Sequence, residues 1–151
     1  MPAHSRLSPV KKLDDGKTYT FCGTPNYVAP EVVLNIGHDT SVDNWSLGVL
    51  IYELIDGANP FWEDGMDQQT LYELIAYGLH PPLSRKKCSK AGRDLIGRLL
   101  EKDASKRIGT FREKDILEHK WFRDFDINEL REKVIKAPWV PDKIRLEEEN
   151  Q

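Results

Sequence analysis

The chain has 151 residues, 31% of them charged and 39% apolar, with 22 Lys+Arg against 25 Asp+Glu for a net charge of −3. The length fits one domain at about 150 residues per domain, and the apolar share is enough for a core, which excludes global disorder. The absence of a basic excess argues against nucleic acid as a partner, and no apolar run approaches the ~18 residues of a membrane span.

In chain order, residues 1–16 are polar, hold two prolines and show no periodicity; they read as a flexible leader, and no apolar stretch in them resembles a secretory signal. Residues 17–40 form a long irregular stretch punctuated by Gly23, Pro25, Pro30 and Gly37. Loops of this length inside a domain usually carry function. Residues 41–55 predict the strongest helix. Thr40 or Ser41 can cap it, Asp43 suits its positive first turn, and Gly57 suits its end. Its apolar residues, Trp45, Leu50 and Leu54 among them, cover almost the whole circumference, which predicts burial on every side.

A second helix is predicted over 67–77, with Asp67 as its cap and Met66 and Leu71 at the spacing of a hydrophobic staple. A third runs from Ser89 to about Glu101, with Leu95, Ile96, Leu99 and Leu100 on one stripe. A fourth follows Thr110, where Thr110-x-x-Glu113 fits a capping box. A fifth starts at Asp126 with Ile127, Leu130 and Val134 facing inward. No period-2 strand and no repeat is found, so the expected class is all-α.

Several chemical motifs fail on inspection. Gly92 and Gly97 have phosphate-loop spacing, but Arg98-Leu99 follows them and both fall in a predicted helix. His4, His38, His80 and His119 have no partners at metal-ligand spacing, and Asn44-Trp45-Ser46, a glycosylation sequon, lies in the apolar helix. Cys22 and Cys88 form neither a metal pair nor a disulfide framework. With no secretory signal, that cysteine usage points to a reducing, cytoplasmic setting.

One combination is specific: KTYTFCGTPNYVAPE over Lys17–Glu31, DNWSLGVLIYEL over Asp43–Leu54, and KDASKRIG over Lys102–Gly109. Here the chain resembles a eukaryotic Ser/Thr protein kinase of the AGC group, in wording closer to cGMP-dependent than to cAMP-dependent members, from about Val10 to Pro141. The resemblance implies an activation segment and substrate-binding loop over 17–31, a helical C-lobe over 32–122, and the start of an AGC-type tail over 123–151. Thr20 matches the activation-loop phosphothreonine; a phosphate adds about −1.5 to −2 charge that orders such loops through arginines. Phe21, Gly23, Thr24, Pro25 and Val28 match the platform for the residue after the phosphoacceptor, and Glu53 matches the carboxylate that receives a substrate arginine. Glu31 and Arg107 match a buried ion pair, for which the planar guanidinium is suited. Asp43 matches a buried carboxylate that accepts bonds from the catalytic loop, and Trp45 reads as core. Asn26 stands where the family has glutamate, which removes one acidic contact for basic substrates.

The resemblance implies protein or peptide substrates with basic residues, and Mg-ATP as the cofactor of the intact family enzyme. No cofactor site is expected in this sequence. It contains no Gly-rich loop, no β3 lysine with its glutamate, no H-R-D and no D-F-G. Asp14-Asp15-Gly16 comes too late to be D-F-G, because Val10–Leu13 already matches the residues just after that motif in the relatives. Hence no catalytic residue is assigned, and no phosphotransfer is expected without the N-lobe half. The alternative reading is a non-catalytic docking or decoy module; an open frame upstream of Met1 encoding H-R-D and D-F-G separates the two.

Overall fold

The computed structural model describes Thr18 and residues 24–138. The described residues form helices and turns with no strand; one isolated bridge pairs Thr18 with His38. Two units divide the chain, Met1–Trp121 and Phe122–Gln151.

The stretch read as irregular contains a short helix, α1 (Pro30–Val33), preceded by a 3-10 turn over Pro25–Tyr27. Each starts with a proline at a first helical position, where the missing N–H leaves no bond unmade. α2 (Ser41–Asp56) is the central helix. Thr40 occupies its N-cap position without a side-chain bond. Asp39 takes the capping role instead, its Oδ1 accepting the Ser41 N–H at 2.8 Å. Gly57 ends the helix at φ 85°, a left-handed conformation that favours glycine, and donates to the Glu53 carbonyl.

α3 (Gln68–Tyr77) starts from the cap read in sequence, Asp67 accepting the Thr70 N–H; α4 (Lys90–Leu99) starts one residue later than read, with Ser89 as its cap accepting the Gly92 N–H. α2 packs on α4, and α1 on α3. The core joins Trp45, Val49 and Tyr52 of α2 to Leu71 and Ile75 of α3 and Ile96 of α4, with Phe61 and Leu100 from the intervening loops. Trp45 is fully buried and stacks on Phe61 at 5.3 Å between ring centroids. Lys102 lies over both rings, 5.6 Å from Trp45 and 5.4 Å from Phe61. Its ammonium donates to the carbonyls of Leu74 and Ile75 near the end of α3, the first of which also accepts the Gly78 N–H. Burial holds the Lys102 pKa below its ordinary value.

Gly48 sets the approach of α2 and α4. A Cβ there would stand 2.8 Å from Leu99 Cβ and 2.9 Å from Leu100 Cδ2. Gly48→Ala is expected to destabilise the protein by about 1–3 kcal/mol through overpacking, measured as a lowered denaturant midpoint at unchanged slope.

Three expectations need correction. α2 is not buried on every side: Leu50 is 43% and Leu54 77% exposed, and Asp43 on the same stripe is exposed. The catalytic loop expected to bury Asp43 is not encoded in this sequence. Thr110 and Glu113 make no capping box: the Thr110 hydroxyl donates to the Ala104 carbonyl at 2.7 Å, and Glu113 becomes the uncapped start of α5 (Lys114–Leu117). In the second unit, α6 (Ile127–Arg131) is capped by Asp126, but Leu130 and Val134 are exposed; five residues offer too little surface to bury an apolar stripe.

Candidate functional site

The segment from Thr24 to Glu31 meets α2 at two levels. At the first, the backbone is fixed by Ser46, whose hydroxyl lies 3.0 Å from the Tyr27 carbonyl and 3.1 Å from the Val42 carbonyl of its own helix. The Tyr27 phenol then donates to Glu53 Oε2 at 2.5 Å, across 26 residues of sequence. This bond raises the Tyr27 pKa above its ordinary value, with lesser contributions from burial and the Glu53 charge, because losing the phenolic proton would leave two anions in contact. Tyr27 was not singled out in sequence. As the lone aromatic between Pro25 and Pro30 it carried a signal, but only the fold supplies its partner.

At the second level lies the ion pair. Glu31 sits in the first turn of α1 with 3% exposure and Arg107 in the loop after α4 with 2%. Arg107 Nη1 donates to Glu31 Oε1 at 2.8 Å and Nη2 to Oε2 at 2.9 Å, a parallel two-bond pairing. Two further donors are also engaged: Nη1 reaches the Ser41 carbonyl and Nε the Glu101 carbonyl, each at 2.9 Å. The guanidinium carbon lies 5.3 Å from the Trp45 ring centre. One arginine thus ties α1, the start of α2 and the end of α4 into one block beneath the Thr24–Glu31 segment.

Among the platform residues, Thr24 is exposed, Pro25 half-buried and Val28 buried. Val28 belongs to the hydrophobic core cluster. Thr20, Phe21 and Gly23 lie outside the described residues. Glu53 is half-buried beside Tyr27, while Asp43 stands at the far end of α2 and shares no contact with it.

The residues present do not fit Mg-ATP. The phosphate-cradling and magnesium-binding motifs are not in the sequence, and the described residues bring together no group of three His, Cys, Asp or Glu able to hold a metal.

The protein kinase domain family matches residues 8–122. The chain belongs to the protein kinase family. Within it, the chain is a C-terminal, cGMP-dependent-kinase-like segment of the AGC type. It is similar to human cGMP-dependent protein kinase 2, 44% identical over 131 residues, 85% of this chain and 17% of that protein. Similarity to Drosophila melanogaster cGMP-dependent protein kinase, isozyme 1, is 44% over 126 residues, 82% of this chain and 16% of that one. The Drosophila melanogaster cAMP-dependent protein kinase catalytic subunit 3 is 38% identical over 138 residues, 87% of this chain and 22% of that one. The chain therefore spans between 16% and 22% of the length of these three kinases. None of the helices among the described residues is long and apolar enough to cross a membrane.

Proposed function

We propose that this chain is the activation-segment and peptide-platform portion of a Ser/Thr protein kinase, acting on cytoplasmic proteins with basic residues before the phosphoacceptor. The observation that carries the reading is the Tyr27–Glu53 bond. It fixes a carboxylate at the edge of the Thr24–Val28 segment, with Oε2 held by the phenol and no hydrogen bond from the described residues to Oε1. That free oxygen suits a guanidinium of the incoming peptide. In this reading Thr20 is the regulatory phosphosite, Phe21, Gly23, Thr24, Pro25 and Val28 shape the subsite after the acceptor, and the N-lobe half supplies Mg-ATP and the base. Asn26 in place of an acidic residue lowers, without abolishing, the preference for arginine.

Binding of two labelled peptides tests this, one with arginine before serine and one with alanine there. The arginine peptide is expected to bind about tenfold tighter, as one charged hydrogen bond implies, with the difference erased by Glu53→Ala. Equal affinities for the two peptides would overturn the assignment of Glu53.

A further inference from the structure

The turn that leads into α4 carries a chemistry that the peptide-platform reading leaves unused. From Arg85 to Arg93 the sequence runs Arg-Lys-Lys-Cys-Ser-Lys-Ala-Gly-Arg, with five cations and no acid in a chain whose net charge is −3. Ser89 stands inside this run, and Arg85, Lys86 and Lys87 lie four, three and two residues before it. All four residues are exposed. Arg85 and Lys86 form no ion pair among the described residues. Lys87 is paired with Asp56 at 2.8 Å, but both side chains are open to water, so the pair yields cheaply. A cap needs only an acceptor at the position of Ser89, and Asp67 and Asp126 supply one as carboxylates. The cations ahead of Ser89 therefore have no explanation in the helix start.

We propose that Ser89 is a phosphoacceptor for a Ser/Thr protein kinase that selects basic residues and carries Mg-ATP, and that the phosphate then serves as the cap of α4. The base of that kinase takes the hydroxyl proton, Ser89 Oγ bonds to the γ-phosphorus, and the bond to the bridging oxygen breaks to release ADP. The acceptor must reach the kinase in an extended form. Residues 84–88 allow this: they are tied by the Lys86, Lys87 and Cys88 N–H groups to Ser84 and by Arg93 to the Cys88 carbonyl, with Cys88 as the buried anchor. So few bonds open locally while α4 stays packed on α2.

Other hydroxyls fit less well. Ser84 has no cation in the four residues before it. Ser105 has Lys102 three residues before it, but Asp103 follows and holds the Ser105 hydroxyl at 2.6 Å. Thr110 has Lys106 and Arg107 ahead of it, but Arg107 is buried against Glu31 and the Thr110 hydroxyl is engaged by the Ala104 carbonyl. At Ser89 the product is also favoured. Its Oγ already accepts the Gly92 N–H at 3.1 Å, so a phosphate there adds about −1.5 to −2 charge at the positive end of a ten-residue helix, with Lys90 and Arg93 in the first turn as counter-charges.

The test incubates the folded 151-residue chain with Mg-ATP and a purified cAMP-dependent protein kinase catalytic subunit as the kinase that selects basic residues, and maps the phosphate by fragment mass spectrometry. Phosphate is expected on Ser89, and Lys86→Ala/Lys87→Ala, which alters exposed side chains alone, is expected to slow its incorporation by about tenfold or more, as the loss of charged contacts to the kinase implies. Ser89→Asn, which keeps a capping oxygen without an acceptor hydroxyl, is expected to lower total incorporation by about tenfold. In the phosphorylated chain the Gly92 amide is expected to exchange several-fold more slowly than before. Phosphate confined to other residues, no incorporation, or an unchanged rate in Lys86→Ala/Lys87→Ala would overturn the site. An unchanged or faster Gly92 exchange at full phosphorylation would overturn the capping role.

Discussion

Replacing Arg107 with methionine is expected to lower the unfolding free energy by about 3–5 kcal/mol, because it strands the Glu31 carboxylate where water cannot reach it. The loss goes beyond the pair itself. The carbonyls of Ser41 and Glu101 lose their donor, and Trp45 loses the cation over its face. Glu31→Gln keeps the shape and should cost less, since an amide still accepts one bond and leaves Arg107 its two carbonyls. The double variant Glu31→Gln/Arg107→Met should recover part of the loss, as removing both charges removes the stranded one. Denaturant unfolding of the four proteins measures this cycle. Additive single losses would show that the two side chains do not act as a pair.

Self-association of the chain should fall sharply when Leu50 and Leu54 are both replaced by glutamate. Both side chains stand on the open stripe of α2, 43% and 77% exposed, so the substitutions remove apolar surface without touching the core. Each leucine covered in an association is worth about 1.5–3 kcal/mol, so losing both weakens it by about two orders of magnitude or more. Sedimentation and dye binding should show the wild-type chain associated and dye-positive, and the double variant monomeric with the same circular dichroism. A wild-type chain that is monomeric and binds no dye would show that the stripe is covered.

What sequence revealed and what it did not divide by range. Asp67 caps its helix as read, and the helices read as starting at Ser89 and Asp126 do begin there, with those two side chains as caps, because a cap needs only the next three residues. Trp45, Leu95, Ile96 and Leu99 are buried as their spacing on α2 and α4 predicts. The Thr110 box fails because a carbonyl six residues away, Ala104, reaches the hydroxyl first. The Tyr27–Glu53 bond spans 26 residues and the Lys102 contact with Ile75 spans 27, so neither leaves a local pattern. The open face of α2 is a matter of what packs beside it, which helical periodicity does not encode.

The most direct measurement is phosphotransfer by a chimera in which residues 17–122 of this chain replace the matching segment of a cGMP-dependent protein kinase. The chimera is predicted to phosphorylate an arginine-containing peptide, and Glu53→Ala is predicted to raise KM for that peptide by about tenfold while leaving an alanine-substituted peptide unaffected. A folded chimera that binds ATP but transfers no phosphate to either peptide would contradict the assignment of this chain as a kinase peptide platform.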